Sequence, residues 1–200
     1  VCTKYVQYGN TFNLLHAGVS YLRIHQSGHG AAGVSDRYGV RSHMRYPSLW
    51  GLQKMGGINN PNPADVGDEA LLNNEAVMVP DEDPVVRAEL KRQAQHWAGL
   101  CEDPKADLII FVGRWSKQKG VDLIADLCPE WLELYPKLQL IAVGPVIDLY
   151  GRMAAMKLDV LAQKYPDRIY SKPEFTVLPK CVFESAEFVL IPSRDEPFGL

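Results

Sequence analysis

Two short stretches of the chain gather charged side chains in a way that could hold a phosphorylated ligand. The first is Phe111-Val-Gly-Arg-Trp-Ser-Lys-Gln-Lys-Gly120, which brings the bases Arg114, Lys117 and Lys119 into one segment. Gly113 has no Cβ, so the backbone there can approach a ligand closely. A helix opening at Gly120 would add its first free N–H groups to the pull on an anion. A diphosphate suits this set, because a guanidinium forks onto two phosphate oxygens and an ammonium adds a mobile point charge. The second stretch is Pro192-Ser-Arg-Asp-Glu-Pro-Phe-Gly199, with Arg194, Asp195 and Glu196 together. A carboxylate beside a diphosphate does not serve the phosphates; it is suited to accept hydrogen bonds from sugar hydroxyls. Each stretch also has a plainer reading on residue types alone. The first can be a solvated basic loop and the second a surface turn rich in Pro, Ser and Asp. The first stretch matches neither G-x-G-x-x-G nor G-x-x-x-x-G-K-[ST], which speaks against a nicotinamide enzyme and against a P-loop ATPase.

What gives the two stretches weight is the pattern of elements around them. Leu108–Val112 is a continuous apolar run, the signature of a strand buried on both faces. Gly120–Leu127 reads as a short helix that Pro129 interrupts or restarts. Leu138–Val143 reads as a second buried strand and Met153–Tyr165 as an amphipathic helix. Arg168–Ser171 reads as a strand, Lys180–Ala186 as a short helix and Phe188–Ile191 as a last strand. Alternation of this kind predicts an α/β fold with a parallel sheet and helices on both faces. Ligands of such sheets bind just beyond the carboxyl ends of the strands, where both charged stretches fall. Gly144-Pro145, at another strand end, offers close backbone approach only.

Upstream, Asn13–Arg23 reads as a helix, Ala31–Ser35 and Met55–Asn59 as short strands, and Leu71–Asp83 as acidic loop. Asp83-Pro84 opens a helix running to about Leu100, with Asp83 as N-cap and Pro84 at the first helical position. Charge divides the chain as well. Residues 1–60 carry six Lys/Arg against one acid, residues 61–90 one base against eight acids, and the remainder is close to balanced. This shift, with Asn59-Asn-Pro-Asn-Pro63, marks a boundary. The expected organisation is a first domain ending at 60, an acidic linker over 61–83, and a second domain over 84–200.

The net charge of −3 over 200 residues gives no reason to expect a nucleic-acid partner. The cysteines Cys2, Cys101, Cys128 and Cys181 form no C-x-x-C pair, which argues against zinc and against a disulfide framework. The histidines His16, His25, His29 and His43 are read as surface or packing residues, and His25-Gln-Ser-Gly-His29 lacks the acidic or cysteine partners of a metal site. No apolar run approaches the roughly 18 residues needed to cross a bilayer. The chain starts at Val1 without a signal peptide and stops at Leu200 just after a strand. It is read as a soluble fragment of a longer protein.

The two strand-end stretches resemble the V-G-R-x-x-x-Q-K-G and P-S-R-x-E-P-x-G-L motifs of the C-terminal domain of glycogen and starch synthases. The first half is similar too. Asn13-Leu-Leu-His-Ala-Gly18 looks like the family's N-x-L-K-A-G helix, with His16 where glycogen synthases usually carry Lys. Ala32-Gly-Val-Ser35 looks like its strand ending in V-S, and Met55-Gly-Gly-Ile-Asn59 like its G-I-x-N-G turn. Within this group the chain is most similar to the synthase domain of fungal cell-wall alpha-1,3-glucan synthases.

The resemblance implies the GT-B architecture, two Rossmann-like domains with the active site in the cleft between them, both incomplete in this chain. It implies that Arg114 and Lys119 hold the diphosphate of a nucleotide-sugar donor, with Gly113 beside them. It implies that Glu196, matching the first glutamate of a paired motif, faces the donor sugar. Phe198, Gly199 and Leu200 would offer backbone N–H groups, and Phe175 is a candidate to pack on the nucleobase. The implied reaction is retaining transfer of glucose from UDP-glucose, or ADP-glucose, onto a growing alpha-glucan. The implied location is the cytosolic side of the plasma membrane. No metal or other cofactor is expected, since Arg114 and Lys119 would balance the charge of the leaving group.

Overall fold

The computed structural model describes Gln7–Tyr8 and residues 10–59 and 84–197. They divide into two compact units, the described residues of Val1–Val77 with Pro197 and those of Met78–Glu196. The expected linker at 61–83 and the N-cap at Asp83 lie outside the described residues.

In the first unit, strands β1 (Gln7–Tyr8) and β2 (Thr11–Phe12) form a small antiparallel hairpin. Helix α1 (Leu14–His25) begins where the Asn13 carboxamide accepts from the His16 N–H at 3.0 Å, so Asn13 caps the helix from outside. Strand β3 (Ala32–Gly33) pairs in parallel with β4 (Gly56–Gly57). Between them runs helix α2 (Asp36–Arg45), capped by the Ser35 hydroxyl on the Tyr38 N–H at 3.2 Å. The apolar pattern gave no sign of α2, because its residues are mostly polar and only Gly39 and Ser42 are buried. A small core of Val19, Leu49, Leu52 and Met55 holds the unit together.

The second unit is the alternating fold that the pattern predicts. Helix α3 (Pro84–Ala98) leads to β5 (Asp107–Val112), α4 (Val121–Leu134), β6 (Leu138–Val143), α5 (Leu149–Lys164), β7 (Ile169–Lys172), α6 (Lys180–Ser185) and β8 (Phe188–Val189). All pairings are parallel, in the order β7-β6-β5-β8. Side chains alternate across the sheet. Leu108, Ile110, Ile141 and Val143 pack with α3 and α6; Ile109, Phe111, Leu140 and Ala142 pack with α4 and α5. Each of the larger ones among these, fully buried, contributes about 1.5–3 kcal/mol relative to exposure. On the α3 face the buried Gln139 accepts from Gln95 at 2.7 Å and donates to the Cys101 carbonyl at 2.7 Å, which keeps a polar pair satisfied inside the core.

One helix departs from expectation. Pro129 does not interrupt α4, which continues through it to Leu134. A proline inside a helix costs about 3 kcal/mol. Here Ile124, Ala125, Cys128 and Leu132, on both sides of the proline, are buried against the sheet, and that packing outweighs the penalty. Helix α5 also begins a turn earlier than its apolar pattern suggests, because Asp148 caps it with its carboxylate on the Gly151 N–H at 2.9 Å.

Candidate functional site

The strand order makes one place in the second unit special. From β5 the chain steps to β6 and β7 on one side, then crosses to β8 on the other side of β5. Strands β5 and β8 therefore flank a topological switch point, the position at which open parallel sheets bind ligands beyond their carboxyl ends. The loop after β5 is residues 113–120 and the loop after β8 is residues 190–197, the two stretches that the sequence brought forward.

The β5 loop is pinned by backbone contacts. The Gly113 N–H donates to the Val143 carbonyl at 3.1 Å and the Trp115 N–H to the Pro145 carbonyl at 2.8 Å; the Trp115 carbonyl accepts from the Ile147 N–H at 3.0 Å. The Trp115 side chain is wholly buried beneath the loop. Two glycines make the arrangement possible. Gly144 has φ 149°, and a Cβ there would lie 1.8 Å from the Gly113 carbonyl oxygen. Gly120 has φ 74°, and a Cβ there would lie 2.2 Å from the Pro192 carbonyl oxygen. Asp148 ties in the start of α5. One carboxylate oxygen caps that helix and the other accepts from the Lys117 N–H at 2.9 Å. The Gly151 N–H first, and the Lys117 N–H after it, hold its carboxyl below the usual range.

At the centre of the site the Lys119 ammonium lies 2.6 Å from Glu196 Oε2. The Ser193 hydroxyl donates to the same oxygen at 3.0 Å. The hydrogen bond from Lys119 is the main reason that the Glu196 carboxyl sits below its ordinary range. Burial pulls the other way, while Ser193 and the charges of Lys119 and Arg114 assist. Both side chains of the pair keep about a quarter of their surface exposed, 26% and 25%, so a ligand can reach them. Arg114 is exposed at the start of the loop, near enough for its charge to act on Glu196.

The structure thus gathers Gly113, Arg114, Lys119 and Glu196 around one switch point. It redirects two other bases. The Lys117 ammonium stands over the Tyr150 ring at 4.6 Å, and Arg194 forks onto Asp122 at 2.8 and 2.7 Å. Phe175 is 81% exposed in the loop after β7, two strands from β5. Phe198, Gly199 and Leu200 lie outside the described residues. Sequence reasoning missed Asp122, Ser193, Gln118 and Asp148. Ser193 stood in the charged stretch itself, and Asp122 stood as the acid in the first turn of the helix after it. Among the described residues no three His, Cys, Asp or Glu side chains are grouped as a metal ion would require, and no helix is long and apolar enough to cross a membrane.

No protein-family profile matches the chain. Over its whole length it is 60% identical to a stretch of the cell wall alpha-1,3-glucan synthase ags1 of Schizosaccharomyces pombe. It is likewise 58% identical to mok11 and 55% to mok13, cell wall alpha-1,3-glucan synthases of the same organism. The chain spans 8% of the length of each of these relatives. Among solved structures it is similar to the catalytic domain of starch synthase IV from Arabidopsis thaliana bound to ADP and acarbose. The TM-score is 0.61 and the identity 21%, over 84% of this chain and 36% of that one. That likeness fixes the fold as the GT-B type.

Proposed function

We infer, from a chain whose whole length is homologous to one segment of the cell wall alpha-1,3-glucan synthases, that it forms the donor-binding part of a retaining glucosyltransferase. The reaction is transfer of glucose from a nucleoside diphosphate donor, UDP-glucose in preference to ADP-glucose, onto a growing alpha-1,3-glucan of the cell wall. The observation that carries this reading is the Lys119–Glu196 contact of 2.6 Å at the β5/β8 switch point. It sets a cation suited to phosphate beside a carboxylate suited to sugar hydroxyls.

In this account Arg114 and Lys119 take the diphosphate, and Glu196 accepts hydrogen bonds from the sugar. As the bond between the anomeric carbon and the phosphate oxygen breaks, its electron pair goes to the leaving diphosphate. Fixed positive charge there stabilises the transition state more than the ground state. The two cations serve the leaving group without a divalent metal. The backbone of Gly113 permits close approach, and Phe175 packs against the nucleobase. The protein works at the cytosolic face of the plasma membrane, the side on which a soluble nucleotide-sugar donor is available.

The test is the transfer assay in a full-length synthase carrying this segment. Lys119→Ala is expected to lower kcat by about 10²–10³-fold while the variant still unfolds cooperatively, its melting temperature lowered only as far as loss of the Glu196 contact accounts for. Near-normal turnover in that variant sinks the assignment.

A further inference from the structure

We propose that Arg194 is a positioning residue, which holds Lys119 and Glu196 in register through Asp122 and the backbone of the β5 loop and does not itself bind the donor. The proposal rests on the reading given under Proposed function.

Residue type and place would make Arg194 a phosphate ligand, since it stands in the same loop as Glu196, two residues before it. The geometry spends its guanidinium elsewhere. One terminal nitrogen donates to Asp122 Oδ1 at 2.8 Å and to the Lys117 carbonyl at 2.8 Å; the other donates to Asp122 Oδ2 at 2.7 Å. The backbone continues the seam. The Arg194 N–H donates to the Gln118 carbonyl at 2.9 Å, and the Gln118 side-chain amide donates to the Asp195 carbonyl at 3.1 Å. Lys119 lies between Gln118 and Asp122, and Glu196 directly follows Asp195. Every bond of the seam therefore flanks one member of the central pair.

The fork explains why arginine stands here. It meets both oxygens of one carboxylate and still reaches a carbonyl, so it fixes an angle as well as a distance. A lysine would keep the charge and lose the fork. Asp122 is the fixed end, since it sits in the first turn of α4, whose next turns are buried against the sheet, and only 16% of its side chain is exposed. The β8 loop is thus referenced to a rigid helix. Loss of such a reference, and a shift of reacting groups by about 1 Å, costs on the order of 10²-fold in rate.

The experiment is a set of double-mutant cycles read in kcat/KM for nucleoside diphosphate-glucose, in a full-length synthase carrying this segment. Arg194→Gln and Asp122→Asn are each expected to lose on the order of 10²-fold, and the double variant no more than either single. In a Lys119→Ala background, Arg194→Gln is expected to cost clearly less than in the wild type, because one member of the pair it positions is gone. Affinity for free nucleoside diphosphate, measured by calorimetry, should fall no further in Arg194→Gln than in Asp122→Asn. Should Arg194→Gln fail to fold, Arg194→Lys takes its place, with a loss between wild type and Asp122→Asn. The proposal is overturned if the two single losses multiply, if the Arg194→Gln loss persists in full without Lys119, or if Asp122→Asn is silent. A wild type that transfers no glucose overturns the underlying reading as well; an active wild type with an equally active Arg194→Gln overturns this proposal alone.

Discussion

Lys119 and Glu196 are 77 residues apart in the chain, yet their charged atoms lie 2.6 Å apart in the fold. Neither residue reaches across the sheet. Strands β5 and β8 are neighbours, each ends at the same edge, and each hands its loop one member of the pair. The Lys119 ammonium meets Glu196 directly from the turn before α4, and Ser193, of the same loop as Glu196, donates to the same carboxylate oxygen. The contact also bears on the titration of the pair: the hydrogen bond from Lys119 holds the Glu196 carboxyl below its ordinary range.

That depression yields a pH prediction. A carboxyl with a lowered folded-state pKa adds stability that is fully present above its ordinary value and is lost as pH falls through the folded value. Glu196→Gln should therefore melt below wild type at neutral pH. The difference should shrink as pH falls below about 4, the ordinary range of a glutamate. Thermal melts of both proteins between neutral and acid pH give the comparison. A gap that stays constant over that range would place the origin of the stabilisation elsewhere.

The approach of Gly144 to Gly113 makes the β5 loop sensitive to one methyl group. A Cβ at position 144 would lie 1.8 Å from the Gly113 carbonyl oxygen, with a backbone φ that other residues rarely adopt. Gly144→Ala should lose at least about 1 kcal/mol of stability, and transfer activity should fall with it as the loop carrying Arg114 and Lys119 shifts. Denaturant unfolding and the transfer assay on the same preparation read both effects. Unchanged stability together with full activity would mean that the loop is not held against β6 as described.

Much of the site was legible in the sequence, and the missing parts have physical reasons. A strand buried on both faces announces itself as an apolar run, so β5 and β6 were placed to within a residue. Parallel alternation then sent Gly113, Arg114, Lys119 and Glu196 to the correct edge of the sheet. Pro129 misled, since a local rule cannot weigh the burial of Cys128 and Leu132 beside it. Helix α2 was missed because its face is polar and its only signal was the Ser35 cap. Pairings were the least legible. The sequence placed Arg194 at a strand end beside Glu196, but the carboxylate that claims it, Asp122, sits in the first turn of α4 and could not be assigned to it from spacing. The same holds for Lys117, whose position over Tyr150 depends on where α5 begins.

The central claim is that one strand end holds the diphosphate and the other the sugar of a single donor. Calorimetric titration of a full-length synthase carrying this segment with UDP and with UDP-glucose tests it most directly, using Lys119→Ala and Glu196→Gln. Lys119→Ala should weaken both ligands alike. Glu196→Gln should leave UDP affinity nearly unchanged and weaken UDP-glucose alone. If Glu196→Gln abolished UDP binding as well, or if neither variant altered the affinity for either ligand, the division of the site between these two residues would be contradicted.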